Sequence, residues 1–140
     1  MLPFSTLIPV RFRDLDAMGH VNNAVYFTYI EVGRQDYWFA LTGQRTVNAF
    51  EFIVGKAECV YRSPACLGEV VRVRMGVTRM GGASFTMRYE LTEAASGRLI
   101  AEASTELVCY DYVAKRPRRL AEDERRAIEA FEASLASSAS

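Results

Sequence analysis

Residues 24–41, AVYFTYIEVGRQDYWFAL, constrain the fold of this chain more than any other stretch. Thr28, Glu31 and Gln35 fall at helical spacing on one narrow stripe, and nearly every other position is apolar. β-Branched and aromatic residues abound, so propensity alone does not favour a helix; the spacing does. A helix greasy around most of its girth has to be enclosed by other elements. Its ends are marked, since Asn22 or Asn23 can cap the start and Gly43 stands where a C-terminal stop belongs. Gly33, in the interior, costs roughly 1 kcal/mol relative to Ala, which points to a close packing contact there.

The rest of the chain reads with period two. Residues 7–13 alternate, with Ile8, Val10 and Phe12 on one face and Arg11 and Arg13 on the other, the pattern of a half-buried strand. Pro9 suits an edge or an early strand position. After the helix come a mixed strand over 51–62, turns at Ser63-Pro64 and Gly68, and clean alternation over 70–79. Met80-Gly81-Gly82 predicts a tight turn in which glycine takes positive φ. Residues 83–92 alternate again, Ala94–Gly97 turn, and a last strand covers about 99–113. Pro117 breaks the pattern, and an amphipathic helix follows over about 121–135, with Ile128, Phe131 and Leu135 on one side and Glu122, Asp123 and Glu124 at its positive end. Residues 136–140 close a small, polar tail, SLASSAS, expected to fray. One strand, one buried helix and four strands on hairpin-scale turns describe a single α+β domain over 1–140, with its core at about 5–113. One sheet curled around one helix satisfies that order, and a second subunit can cover what the sheet leaves bare.

Composition narrows the function classes. Half of the residues are apolar or aromatic, so 140 residues can bury a real core without disulfide or metal staples. Seventeen basic and seventeen acidic residues cancel, unlike the basic excess of a nucleic-acid binder. Arg72, Arg74, Arg79 and the run 115–119 read as solvated strand faces and a basic turn, or as contacts to the phosphates of a nucleotide-bearing substrate. Cys59, Cys66 and Cys109 are odd in number and lack a CxxC pair, as expected of reduced cytoplasmic thiols. The first residues, MLPFSTLIPVRFRD, lack the layout of a secretory signal, and no apolar run reaches the roughly 20 residues that cross a bilayer. The expectation is a soluble, cytoplasmic protein with no membrane or nucleic-acid partner.

Reactive groups concentrate in RDLDAMGHVNN, residues 13–23, directly ahead of the helix. Unpaired N–H groups at a helix start carry partial positive charge and point at whatever binds there. A carboxylate a few residues upstream can reach the same spot, and the two together make the minimum for acyl transfer. The plainer alternative leaves Asp14 and Asp16 as loop carboxylates favouring the helix dipole, His20 as a loop hydrogen-bonder, and Asn22 and Asn23 as caps. No GxSxG elbow, phosphate loop, dinucleotide fingerprint or metal set competes. Tyr26, Phe27, Tyr29, Tyr37, Trp38 and Phe39 read as core, or in part as lining for an acyl pocket.

The run RFRDLDAMGHVNNAVYFTYIEVGRQDYW fits the pattern D-x-D-x-x-G-H-V-N-N-x-x-Y-x-x-Y-x-E-x-x-R. It resembles the signature of the hotdog-fold thioesterases related to 4-hydroxybenzoyl-CoA thioesterase, and more closely their bacterial acyl-CoA thioester hydrolase branch. YRSPACLGEVVRV resembles that family's strand–turn–strand, so the likeness spans residues 5–113. The resemblance implies a hotdog fold and hydrolysis of an acyl-CoA to a free acid and coenzyme A, with no metal or prosthetic group. It makes Asp16 the catalytic carboxylate, as nucleophile or as base for water, and the Asn23 backbone N–H the oxyanion donor, with His20 and Asn22 shaping the site. By position it makes Arg62, Ser63, Gly82, Ala83 and Ser84 coenzyme A contacts, some of them from a neighbouring subunit of a dimer or tetramer. Glu31 is the alternative carboxylate, since some members use a helix Glu. Alternative functions are hydrolysis of acyl groups on acyl carrier protein, and acyl-CoA binding without turnover.

Overall fold

Alternation in the sequence becomes one antiparallel sheet, in a computed structural model that describes residues 2–46 and 50–138. In chain order the elements are β1 (Phe4–Pro9), a 3-10 turn (Phe12–Asp14), α1 (Val25–Thr42), β2 (Phe52–Tyr61), β3 (Val70–Met80), β4 (Ser84–Glu93), β5 (Leu99–Asp111), β6 (Arg116–Pro117) and α2 (Glu122–Ser138). The strands lie in the order β1-β3-β4-β5-β2, with β6 beside β5. This is the α+β hotdog arrangement that the sequence implies. No helix among the described residues is long and apolar enough to cross a membrane.

Helix α1 forms against its intrinsic propensity because burial outweighs propensity. Tyr26, Tyr29, Ile30, Tyr37 and Trp38 are buried against Val71, Val73 and Met75 of β3 and Phe85, Met87, Tyr89 and Leu91 of β4. Each large side chain so enclosed contributes about 1.5–3 kcal/mol. At Gly33 a Cβ would stand 2.6 Å from Met75 Cε and 3.3 Å from Val73 Cγ1, the close contact expected there. Gly43 ends the helix at φ 72° and donates its N–H to Phe39 O. The far end of α1 is closed by aromatic rings: Trp38 stacks on Phe50 at 4.3 Å and meets Phe85 and Tyr37 edge-on.

The sheet covers only one side of this helix. α1 packs chiefly on β1 and β3, and the inner face of the outer strand β2 stays open, with Val54 46% exposed. On α1 itself Thr28 and Glu31 are exposed and Gln35 is half-buried, as the polar stripe predicts, and Val32 is exposed beside them.

Three expectations change. The strand expected over 7–13 is Phe4–Pro9, and Phe12 is 80% exposed. Asp14 accepts the backbone N–H of Arg11 at 2.9 Å and winds residues 12–14 into a 3-10 turn. At the β3–β4 turn neither Gly81 nor Gly82 takes positive φ; Gly81 instead has little space, since a Cβ would sit 3.2 Å from the Ser84 carbonyl to which its own N–H donates. The last helix is longer than 121–135 and runs to Ser138. Ser134 and Ser138 donate their hydroxyls back to Phe131 O and Ser134 O, so the small polar tail continues the helix; residues 139–140 lie outside the described residues.

Helix α2 finishes an edge that β1 leaves short. β1 pairs with β3 no further than Met75, and Glu132 Oε2 then accepts the N–H of Val77 at 2.8 Å and the hydroxyl of Tyr37 at 2.5 Å. Phe131 packs edge-on to Tyr37 at 5.1 Å. Glu132→Ala strands a buried hydroxyl and a strand N–H, so unfolding in urea should show a loss of about 2 kcal/mol. Burial first, then the bond to Glu132, pushes the Tyr37 phenol far above its ordinary range. An acid whose folded value is raised stabilises the fold fully below its unfolded value, about 10, and loses that contribution as pH climbs. Urea midpoints should therefore stay level through about pH 9 and fall above pH 10, less steeply in Tyr37→Phe.

Candidate active site

The segment ahead of α1 folds into a hairpin because an Asp and a Gly sit where a tight turn needs them. Asp16 N donates to His20 O at 2.8 Å, Gly19 N to Asp16 O at 3.1 Å, and Asn22 N to Asp14 O at 2.9 Å. Gly19 takes φ +81°, a conformation that costs glycine little. Asp16 Oδ1 accepts the Met18 N–H at 2.8 Å, which fixes the carboxyl group against its own turn. Its second oxygen has no partner among the described residues.

Asp14 anchors this hairpin beneath the surface. It is 1% exposed and accepts from Tyr29 OH at 2.8 Å, from the Arg11 backbone, and from the Arg11 guanidinium at 2.8 Å. Burial alone would raise its pKa; the bonds from Arg11 and Tyr29 outweigh burial and hold the carboxyl below its usual range. Tyr29 in turn is raised, by burial and then by the bond to Asp14.

At the start of α1, Asn22 Oδ1 accepts the Ala24 N–H at 2.9 Å and Asn22 O accepts the Val25 N–H at 2.9 Å. Asn22 thus closes a turn just before the helix; the N-cap itself is Ala24, with no side-chain cap, so neither Asn22 nor Asn23 caps α1 as expected. The Asn23 N–H between them donates to nothing among the described residues. Tyr61 OH donates to Asn23 O at 2.7 Å from across the opening. The loop after β2 forms the other wall: Val21 N donates to Ala65 O at 2.9 Å, and Ala65 N donates to Tyr26 OH at 3.1 Å. Arg98 ties that loop in place through Ser63 Oγ, Pro64 O and both oxygens of Glu69.

Between these walls lies a cleft of about 360 Å³ lined by Asp16, His20, Val21, Asn23, Tyr26, Tyr61, Arg62, Ser63 and Pro64. Six of the residues singled out from the sequence therefore meet: Asp16, His20, Asn23, Arg62, Ser63 and, from the aromatics read as core or pocket lining, Tyr26. Arg62 is engaged by Glu102 at 3.0 Å. Asn22 turns back onto the Ala24 N–H and does not line the cleft. Gly82, Ala83 and Ser84 lie elsewhere, on the β3–β4 turn, where Gly82 O accepts the Leu120 N–H and Ala83 O the Cys109 N–H. Ser84 pairs with Val108 while Ser63 donates to Ile100 O, a separation of about 26 Å along β5. Within one chain they cannot join this site. Glu31 lines a different, smaller cleft with Arg34. Tyr61 and Pro64 were read from the sequence only as part of a strand and a turn, not as site residues; the signal was their position beside Arg62-Ser63 at the end of an outer strand. No group of three or more His, Cys, Asp or Glu side chains among the described residues is placed to hold a metal.

Residues 10–128 match the family described as the thioesterase-like superfamily. The chain belongs to that superfamily. It is 30% identical over 111 residues to the long-chain acyl-CoA thioesterase FadM of Escherichia coli, an alignment covering 76% of this chain and 82% of that protein. With the acyl-CoA thioester hydrolase YbgC of Shigella flexneri it shares 31% identity over 121 residues, covering 80% and 87%. A Thermus thermophilus thioesterase, solved in complex with coenzyme A and zinc, superposes at a TM-score of 0.85 with 33% identity over 94% of this chain and 96% of that one.

In this member of the thioesterase-like superfamily, the cleft depends on Asp14 although Asp14 never lines it. Asp14→Ala leaves the buried Tyr29 hydroxyl without its acceptor and should cost about 1–3 kcal/mol in chemical denaturation. Faster amide exchange should appear over residues 14–22, with α2 unchanged.

Proposed function

We propose that this chain hydrolyses acyl-CoA thioesters to free acids and coenzyme A, with Asp16 as the reacting carboxylate. The observation that carries this reading is the meeting, in one cleft, of a carboxylate with an unpartnered oxygen and a free N–H beside the start of a helix. A thioester carbonyl seated with its oxygen on Asn23 N–H has its carbon open to Asp16, or to a water that Asp16 deprotonates. As the C–O bond forms, negative charge moves onto the carbonyl oxygen, where an oriented amide stabilises it without reorganising. Collapse breaks the C–S bond, and coenzyme A leaves as a thiolate that takes up a proton. In the direct route this leaves an acyl–Asp16 anhydride, which one water then cleaves to the free acid and the restored carboxylate; in the other the water's oxygen enters the acid at once and Asp16 gives its proton back, so either route consumes one water and calls on no metal or prosthetic group. Tyr61, fixed on Asn23 O, holds the residue that supplies the donor, and His20 and Arg62 give the rim its polar character.

The names of the relatives favour coenzyme A over a carrier protein as the acyl carrier. We also propose that the protein works as a cytoplasmic homodimer formed along β2. That strand is the outer one of the sheet, and Ile53, Val54, Val60 and Tyr61 on it are 38%, 46%, 49% and 43% exposed. An open edge with apolar side chains on both faces is a template for another chain. A second copy there can also bring its own β3–β4 turn, with Gly82, Ala83 and Ser84, towards the cleft from outside.

Asp16→Asn should lower kcat for acyl-CoA hydrolysis by at least about 100-fold, measured as thiol release across a panel of acyl chain lengths, with the thermal melt unchanged. Near-normal turnover in the folded variant would remove Asp16 from the reaction. Binding without thiol release in the wild type would favour a sensor, and faster release from matched carrier-protein substrates would favour the other carrier.

A further inference from the structure

Arg34 carries a charge that one chain leaves unbalanced. It is 7% exposed, donates once, to Tyr89 OH at 3.3 Å, and rests over the Phe52 ring at 5.3 Å. Tyr89 OH is shared with Thr105 at 2.7 Å. Arg34 forms no ion pair with any described carboxylate. A lone buried guanidinium is costly, and buried charges in folded proteins are paired. Its open side faces a cleft of about 50 Å³ between α1 and strands β2 and β5, with Glu31, Val54, Ala57 and Thr105 in the wall. Glu31, one turn earlier on α1, is exposed and makes no hydrogen bond or ion pair with any described residue.

We infer that Arg34 is neutralised by Glu31 of a second copy of this chain, and Glu31 by that copy's Arg34, so that a doubled ion pair locks two α1 helices across a two-fold axis. This rests on the dimer reading given above. A two-fold interface is self-complementary: whatever residue i meets in its partner meets residue i in return. A helix that presents an acid and a base one turn apart therefore satisfies an antiparallel copy of itself twice. For residue 31 to face residue 34 the axis must cross the flank of α1 that carries both, away from the flank on which Gly33 meets Met75 and Val73. The same axis brings the uncovered inner face of β2, with Val54 and Ala57, under the partner's helix. The pair would be desolvated on assembly, which makes it a determinant of which chains associate as much as of how tightly.

The test is sedimentation equilibrium on wild type, Glu31→Arg, Arg34→Glu, and an equimolar mixture of the two variants. Each variant alone places like charges opposite each other twice, and its dimer dissociation constant should rise by at least about 30-fold. The mixture should recover near wild-type association, because each mixed dimer restores both pairs. If the mixture stays as weak as the single variants while wild type is dimeric, the pair lies within one helix or does not exist, and the inference falls while the dimer stands. A wild type that remains monomeric at high concentration sinks the dimer reading itself. Should Arg34→Glu fail to fold by thermal melt, a double-mutant cycle with Glu31→Gln and Arg34→Met decides instead. A double variant no weaker in association than the worse single supports the pair, and additive losses overturn it.

Discussion

At Gly33 the backbone of α1 comes so near β3 that a single added carbon would stand 2.6 Å from Met75 and 3.3 Å from Val73. That approach fixes the axis of the helix relative to the sheet, and the axis fixes where both of its ends fall. An 18-residue helix spans about 27 Å, so its start reaches the hairpin of residues 14–22 while its far end reaches the ring cluster around Trp38. A bulkier residue at position 33 would move both ends at once. The roughly 1 kcal/mol that glycine costs in a helix interior is thus set against a geometric requirement shared by the site and the core.

The site is assembled from backbone more than from side chains. The Asn23 N–H at its edge belongs to the main chain, its turn is held by main-chain bonds to Asp16 and His20 carbonyls, and its far wall hangs on Ala65 through both its N–H and its C=O. Side chains act where the backbone alone would be free to drift. Asp14 pins the hairpin to Tyr29 on α1, Tyr61 pins residue 23, and Arg98 gathers Ser63, Pro64 and Glu69 into one rigid loop. Asp14 and Asp16 lie two residues apart and do opposite things. One is buried and spends its oxygens on structure; the other keeps one oxygen uncommitted at the rim.

Period-two alternation over 70–79 and 83–92 gave β3 and β4 nearly residue by residue, because one face of each strand is buried against α1 and register follows burial. The polar stripe, the glycine stop at residue 43 and the contact at Gly33 were equally plain in α1, whereas the asparagine cap was not found, since Ala24 holds that position. The first strand was misplaced because alternation continues past Pro9 into residues whose path is set by a side-chain acceptor, Asp14, that periodicity does not register. Gly81-Gly82 looked like a positive-φ turn, but glycine also serves where space is short, and a sequence does not distinguish the two needs. In the site, Asp16, His20 and Asn23 were legible because they are close in the chain. Tyr61, which reaches Asn23 across 38 residues, was not, since only the folded sheet brings the end of β2 to the start of the helix. Asn22 fitted a cap on spacing and a site residue by resemblance; its side chain instead closes the turn ahead of the helix, whose N-cap is Ala24.

The two ends of α1 differ in what holds them, and the difference suits a hydrolase. At the C-terminal end, Tyr37 and Trp38 are buried with Phe85, and Phe50 and Phe52 pack on them; the indole Nε1 of Trp38 even goes without a partner among the described residues. Apolar contact is non-directional and stabilising in bulk, so that end can absorb the cost of one stranded donor. The N-terminal end buries little beyond Val21, Tyr26 and Tyr29 and is held by directional bonds whose loss is local. Concentrating stability away from the cleft leaves the hairpin free to be specified by chemistry, with a carboxylate and an amide left open at the surface. Both residues are exposed, so solvent can meet those groups at no cost to the fold until a thioester takes its place.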